Sequence, residues 1–141
     1  MMALELTNVA LQTVASQANV LFAETPVRDC RGQIVHREGS GIVTLRGAPN
    51  CARYKVSFGG NVAIPTGGTV GPISLAITID GEPLGSATMI VTPTVVDALF
   101  NVFGAVFITV PCNCCVTIGV RNIGPDPIDA QNANLIVERV A

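Results

Sequence analysis

Tryptophan is absent from this chain, tyrosine and histidine occur once each, and charged residues make up only 13% of it. Each scarcity excludes something. With aromatics at 4%, there is no stacking platform for nucleic-acid bases. The eight Lys and Arg are scattered singly and the net charge is −2, so no basic stripe exists to follow a phosphate backbone. His36 is the only histidine, which excludes a two-histidine metal site and leaves a hydrolytic triad just one ring to use. Its neighbours Arg37 and Glu38 place it at a strand end or turn, as a structural or solvated residue. Long apolar runs are also missing. The richest segment, residues 95–110, is interrupted by Asp97, Asn101 and Gly104, so no stretch of about 18 residues could cross a membrane as a helix. The first residues lack a basic region followed by an apolar one and do not read as a secretory signal.

What the chain does have is apolar content: 49% hydrophobic residues and a mean hydropathy of +0.53. Its 141 residues suit one domain with a real core. High apolar content without a membrane span suggests that subunits bury surface against each other, so the expectation is an obligate oligomer.

The clearest local signal runs from Ile73 to Thr92. Ile73, Leu75, Ile77 and Ile79 occupy every second position, and Asp80-Gly81 supplies a tight turn before a second strand-like run. The same grammar recurs along the chain. Strands are expected near residues 19–24, 34–37, 41–45, 53–62, 73–80, 86–92, 105–110, 115–122 and 134–140, with Gly and Pro clusters between them. Short strands at this spacing read as an all-β sandwich or barrel. Residues 4–18 fit an extended arm, a leading strand or a short helix. Residues 95–103 fit a helical turn or an irregular strand.

Strand faces carry further information. Tyr54, Val56 and Phe58 alternate with Arg53, Lys55 and Ser57, as in a half-solvated strand. Leu21-Phe22, Val106 to Val110 around Phe107, and Leu135-Ile-Val137 instead carry apolar side chains on both faces. A sheet covered on both sides explains them, with Phe22, Phe107 and Leu135 as candidate intersubunit contacts.

No set of residues composes an active site. Gly39-Ser40-Gly41 lacks the nucleophile-elbow spacing, Gly67-Gly68 has no following Lys or helix, and the acidic residues are dispersed. The chain reads as a non-enzyme without cofactor. Five cysteines, Cys30, Cys51, Cys112, Cys114 and Cys115, form the one reactive-looking group. They could be free thiols, a disulfide such as Cys30 with Cys51 or one to the 112–115 turn, or thiolates around zinc. A thioredoxin-type role is excluded, because strand residues and not a helix follow Cys112-Asn-Cys-Cys115.

Over residues 19–140 the chain resembles the bacterial and phage branch of the tumour-necrosis-factor-like jelly rolls. The resemblance rests on Asn19-Val-Leu-Phe22, Gly39-Ser-Gly-Ile-Val-Thr-Leu45, Ala52-Arg-Tyr-Lys-Val-Ser-Phe58, Ile79-Asp-Gly-Glu-Pro-Leu84, Phe107-Ile-Thr-Val110 and Asn132-Ala-Asn-Leu-Ile-Val-Glu-Arg-Val140. It implies a jelly-roll β-sandwich at 19–141, packed as a homotrimer through an apolar inner sheet. It also implies a segment at 1–18 whose Leu4, Leu6, Val9 and Leu11 contact a major capsid protein. The resulting expectation is a capsid decoration or cement protein on a virion exterior. The alternative is a carbohydrate- or cell-surface-binding head of a fibre or spore-surface layer.

Overall fold

The period-2 pattern is realised as strands throughout a computed structural model that describes residues 2–29, 31–47, 51–112 and 114–141. In chain order these are β1 (Ala3–Asn8), β2 (Gln12–Val14), β3 (Glu24–Val27), β4 (Ile34–His36), β5 (Val43–Arg46) and β6 (Ala52–Ala63). They are followed by β7 (Ile73–Ile79), β8 (Glu82–Val91), β9 (Phe100–Val110), β10 (Cys115–Asn122) and β11 (Ile128–Arg139). No helix occurs among the described residues.

Two antiparallel sheets face each other. One has the order β3-β1-β11-β6-β9, with β2 also pairing β11; the other has the order β4-β5-β10-β7-β8. Strands distant in sequence become neighbours, which is the jelly-roll arrangement of two interleaved Greek keys. The β7–β8 hairpin turns at Asp80-Gly81, both with positive φ, and pairs Ile79 with Glu82, as expected of Asp-Gly.

The core lies between the sheets. Leu4 and Leu6 of β1, Tyr54, Val56 and Phe58 of β6, and Leu135 and Val137 of β11 face Leu45, Leu75, Ile77, Ile118 and Val120 of the second sheet. Phe22 meets Phe58 edge-on at 6.4 Å, a favoured aromatic geometry. The Tyr54 hydroxyl donates to the Arg46 carbonyl at 2.7 Å, tying the two sheets. Burial pushes the Tyr54 phenol pKa up, the Arg139 charge opposes this, and Asp29 adds to it.

The segment between β2 and β3 departs from expectation. Residues 19–24 do not form a strand of the first sheet. Instead residues 17–20 lie along β10, with Val20 N–H donating to the Val120 carbonyl and Asn122 N–H to the Ala18 carbonyl. Strand β3 begins only at Glu24. This crossover needs close backbone approach: a Cβ on Gly41 would stand 2.6 Å from the Val20 carbonyl oxygen.

Asn122 fastens the crossover. Its Nδ2 donates to the carbonyls of Val14 (3.2 Å), Ala15 (3.3 Å) and Asp126 (2.9 Å), and its Oδ1 accepts from Gly124 N–H (3.0 Å). His36 does similar work at the other side of the segment. Its Nε2 lies 2.8 Å from the Ser40 carbonyl, so that nitrogen donates, and Nδ1 accepts from the Thr25 hydroxyl at 2.9 Å. The ring also packs edge-on against Phe22. Its role is therefore structural: it links β4 in one sheet to β3 in the other.

Asp29 closes the turn into β4. Its carboxylate accepts from the backbone N–H groups of Arg31, Gln33 and Ile34 at 3.1, 2.8 and 3.0 Å. Burial pushes its pKa up, but these donors and the Arg31 charge outweigh that and leave it lowered.

Two expectations test this frame. Asn122→Ala takes this partner from the carbonyls of Val14 and Asp126 and from Gly124 N–H and is expected to cost about 2–3 kcal/mol in urea unfolding; a loss under half of that contradicts the fastening role. Because the pKa of Asp29 is lower in the folded chain than its ordinary 3.8, its stabilisation is present above that value and lost as pH falls through the folded pKa. Asp29→Ala should therefore have a lower urea midpoint than wild type at neutral pH, with the gap closing in acid. A gap that persists well below pH 3.8 contradicts it.

Candidate functional site

The outer face of the β3-β1-β11-β6-β9 sheet is the main candidate. The register fixes which side chains share it. One row is Ala3, Glu138, Lys55 and Phe107; the next is Glu5, Ile136, Ser57 and Ala105; the next is Thr7, Asn134, Gly59 and Phe103. Phe103 and Phe107 are 66% and 63% exposed on β9, and Ile136 is 41% exposed on β11. Between them the surface is floored by the small residues Ser57, Gly59 and Ala105. The result is two aromatic knobs at a sheet edge beside a shallow apolar floor.

Polar groups bound this face. Asn101 donates to Asn61 at 3.3 Å and Asn61 to Asn132 at 3.1 Å, a side-chain ladder across β9, β6 and β11. Asn132 has positive φ, and the β11–β6 register shifts between Gln131 and Asn134. On the far side Asn134 donates to Glu5 at 2.7 Å.

The residues expected at an intersubunit contact divide. Phe107 points outward as expected. Phe22 and Leu135 do not: both are 0% exposed, because their side chains face the opposite sheet. The strands around Leu135 and Phe107 are indeed apolar on both faces, but the outward member of Leu135-Ile-Val137 is Ile136. Phe103 was missed. Its place on the alternation with Ala105 and Phe107 would have pointed to it, had β9 been extended back to Phe100.

The residues expected in a partner-contacting arm also divide. Leu4 and Leu6 belong to β1, which inserts between β3 and β11, and both are core residues. An arm cannot present them to a partner. Val9 and Leu11 are exposed in the β1–β2 connection.

Four cysteines gather at one end of the sandwich. Cys51 precedes β6, Cys112 follows β9, and Cys115 opens β10 opposite Arg46, while the Cys114 carbonyl accepts from Gly47 N–H. All four are exposed. The Sγ atoms of Cys51 and Cys112 are 2.7 Å apart. Their contact holds the Cys51 thiol below its ordinary pKa and the Cys112 thiol above it. Cys30 lies outside the described residues. Among those described, no group of three or more His, Cys, Asp or Glu is arranged to hold a metal ion.

At the opposite end, the β6–β7 and β10–β11 loops enclose a cleft of about 550 Å³. Ile64, Val70, Pro72, Ile73, Pro127 and Ile128 give it apolar walls, and Asp126 supplies a carboxylate. Its rim includes Thr66, whose hydroxyl donates to the Asp97 carboxylate at 2.8 and 2.9 Å.

No protein-family model and no curated protein matches the chain. Solved structures do. The Eiger TNF of S. frugiperda superposes with a TM-score of 0.73 at 12% identity, covering 99% of this chain and 92% of that one. The globular domain of zebrafish complement 1qA gives 0.62 at 11% identity, over 99% and 96%. Murine APRIL at pH 5.0 gives 0.60 at 13% identity, over 96% and 97%. At such identities the likeness concerns the fold alone. The chain has the jelly-roll fold shared by tumour-necrosis-factor-like and C1q-like domains.

Proposed function

We propose that this protein is a non-enzymatic structural protein that works as a homotrimer. In this reading each subunit sets the Phe103 and Phe107 knobs of β9 onto the floor of Ser57, Gly59 and Ile136 in the next subunit. The observation that carries it is the pair of exposed phenylalanines beside that small-residue floor, on the face whose core side is already full. Knob and floor lie on different parts of one face, and in this reading they meet head-to-tail, with a threefold rotation closing the ring. Exposed aromatics beside a flat apolar surface are the composition of an interface centre, and the asparagine ladder supplies a polar margin.

The finer role is capsid decoration: a trimer seated on the major capsid protein at the exterior of a bacteriophage virion. It is supported by the sequence resemblance to the phage branch of these jelly rolls. The exposed Val9 and Leu11, with Leu4 and Leu6 removed from the set, are the remaining apolar contacts for the capsid lattice. A second reading, a glycan- or cell-surface-binding head, draws on the 550 Å³ cleft between the loops. The absence of aromatic residues among those lining the cleft weighs against a sugar-stacking site.

Light scattering on the purified protein is expected to give three times the 14.6 kDa chain mass. Phe103→Glu combined with Phe107→Glu should reduce that to one chain with the strand signature intact, because two carboxylates cannot be buried unpaired. A wild-type monomer at micromolar concentration would sink the reading, as would a trimer unaffected by both substitutions. Reconstructions of whole particles should show the trimer on threefold or quasi-threefold positions, and its absence there overturns decoration.

A further inference from the structure

The fold brings one pair of cysteines together that the sequence keeps far apart. Cys51 and Cys112 are 61 positions apart, yet their Sγ atoms stand 2.7 Å from each other. The cause lies in the sheet register. Ala52 and Val110 are partners at the open end of the β6–β9 ladder, so the residues just beyond them are carried to the same place. Both thiols are exposed, so a small reagent reaches them without any opening of the fold. Among the described residues no other two sulfur atoms come into hydrogen-bonding contact. The backbones of Cys114 and Cys115 are held elsewhere, one by its carbonyl to Gly47 and the other in the β10–β5 ladder, and their thiols are exposed without a sulfur partner among the described residues.

We propose that Cys51 and Cys112 form an oxidisable dithiol that closes to an intrachain disulfide and pins the end of edge strand β9 to β6. The oxidant class is a low-molecular-weight disulfide, R–S–S–R. The Cys51 thiolate attacks one of its sulfurs, forms a mixed disulfide and releases the first thiolate, R–S⁻. Cys112 then loses its proton to solvent and its sulfur attacks Cys51 Sγ. The bond from Cys51 to the small thiol breaks, and the second R–S⁻ leaves. The sum is two protein thiols and one R–S–S–R giving one protein disulfide and two R–SH. Cys51 suits the first step because its contact with Cys112 favours the thiolate. The bond closes a long loop and lies at one end of the strand bearing Phe103 and Phe107. It does not depend on the trimer reading.

The test uses the full chain. After reaction of wild type and of the Cys51→Ser variant with oxidised glutathione under native conditions and removal of excess reagent, a disulfide between the two positions should form in wild type and not in the variant. Intact mass should show the loss of two hydrogens, and a protease digest should contain one linked pair, Cys51 with Cys112. Reduction should lower Tm by about 10 °C. Cys51→Ser and Cys112→Ser should each abolish the linked pair, while Cys114→Ser, a control at an uncommitted thiol, should keep it. No linked pair at these positions, a glutathione adduct retained on Cys51 or Cys112, a link from either of them to another cysteine, or an unchanged Tm would each overturn the proposal.

Discussion

Everything in this molecule depends on the locked register of four strands, β1, β11, β6 and β9. Leu6, Leu135 and Phe58 stand side by side, as do Leu4, Val137 and Val56, and each row faces the second sheet. A strand has period two, so a slip of one residue would turn every one of these side chains to solvent. The long pairing of β6 with β9, from Ala52–Val110 to Val62–Phe100, extends that constraint to the sheet edge. Once Val102, Ile108 and Val110 are committed inward, Phe103 and Phe107 have nowhere to go but out. The apolar face is thus a by-product of the same register that builds the core, and the close approach of Cys51 and Cys112 is another.

Much of this could be read in advance. Tyr54, Val56 and Phe58 alternate cleanly with charged residues, so their inward face was legible, and Asp80-Gly81 announced its hairpin. Strand β1 was ambiguous because Leu4 and Leu6 fit several conformations until a partner strand is known. The residue 19–24 region was misplaced for a different reason. Its course is set by tertiary contacts, namely the approach of Gly41 to the Val20 carbonyl and the hydrogen bonds of residues 17–20 to β10. Nothing local encodes either contact. Phe22 and Leu135 face inward, and of two adjacent apolar residues only the opposing sheet decides which one enters the core. The Cys51–Cys112 pairing needed the strand order as well.

The polar residues inside the sandwich act at its seams. Asn122 binds the β2–β3 and β10–β11 connections, which pass between sheets, and His36 ties β4 to β3 in the other sheet. The residues that hold the seams are therefore different from those that form the exposed apolar face. Strand β9 stands at the edge of its sheet, paired with β6 on one side, and its outer edge has no strand partner among the described residues. A long apolar edge of this kind invites pairing with other chains, and a closed ring of subunits is one way of covering it.

The place of β1 has a consequence for the order of events in synthesis. Glu5 reaches Asn134, 129 positions later, and the central place of β1 between β3 and β11 exists only once both neighbours do. Synthesis delivers β11 after the other ten strands of the sandwich. Until then β1 has only β3 beside it and no link to β6 and β9, and the sandwich cannot close. Sequence-distant pairings of this sort slow folding and lengthen the time that apolar segments are exposed. Strand β1, made before every other strand of the sandwich, must therefore wait for β11 before it is covered on both edges.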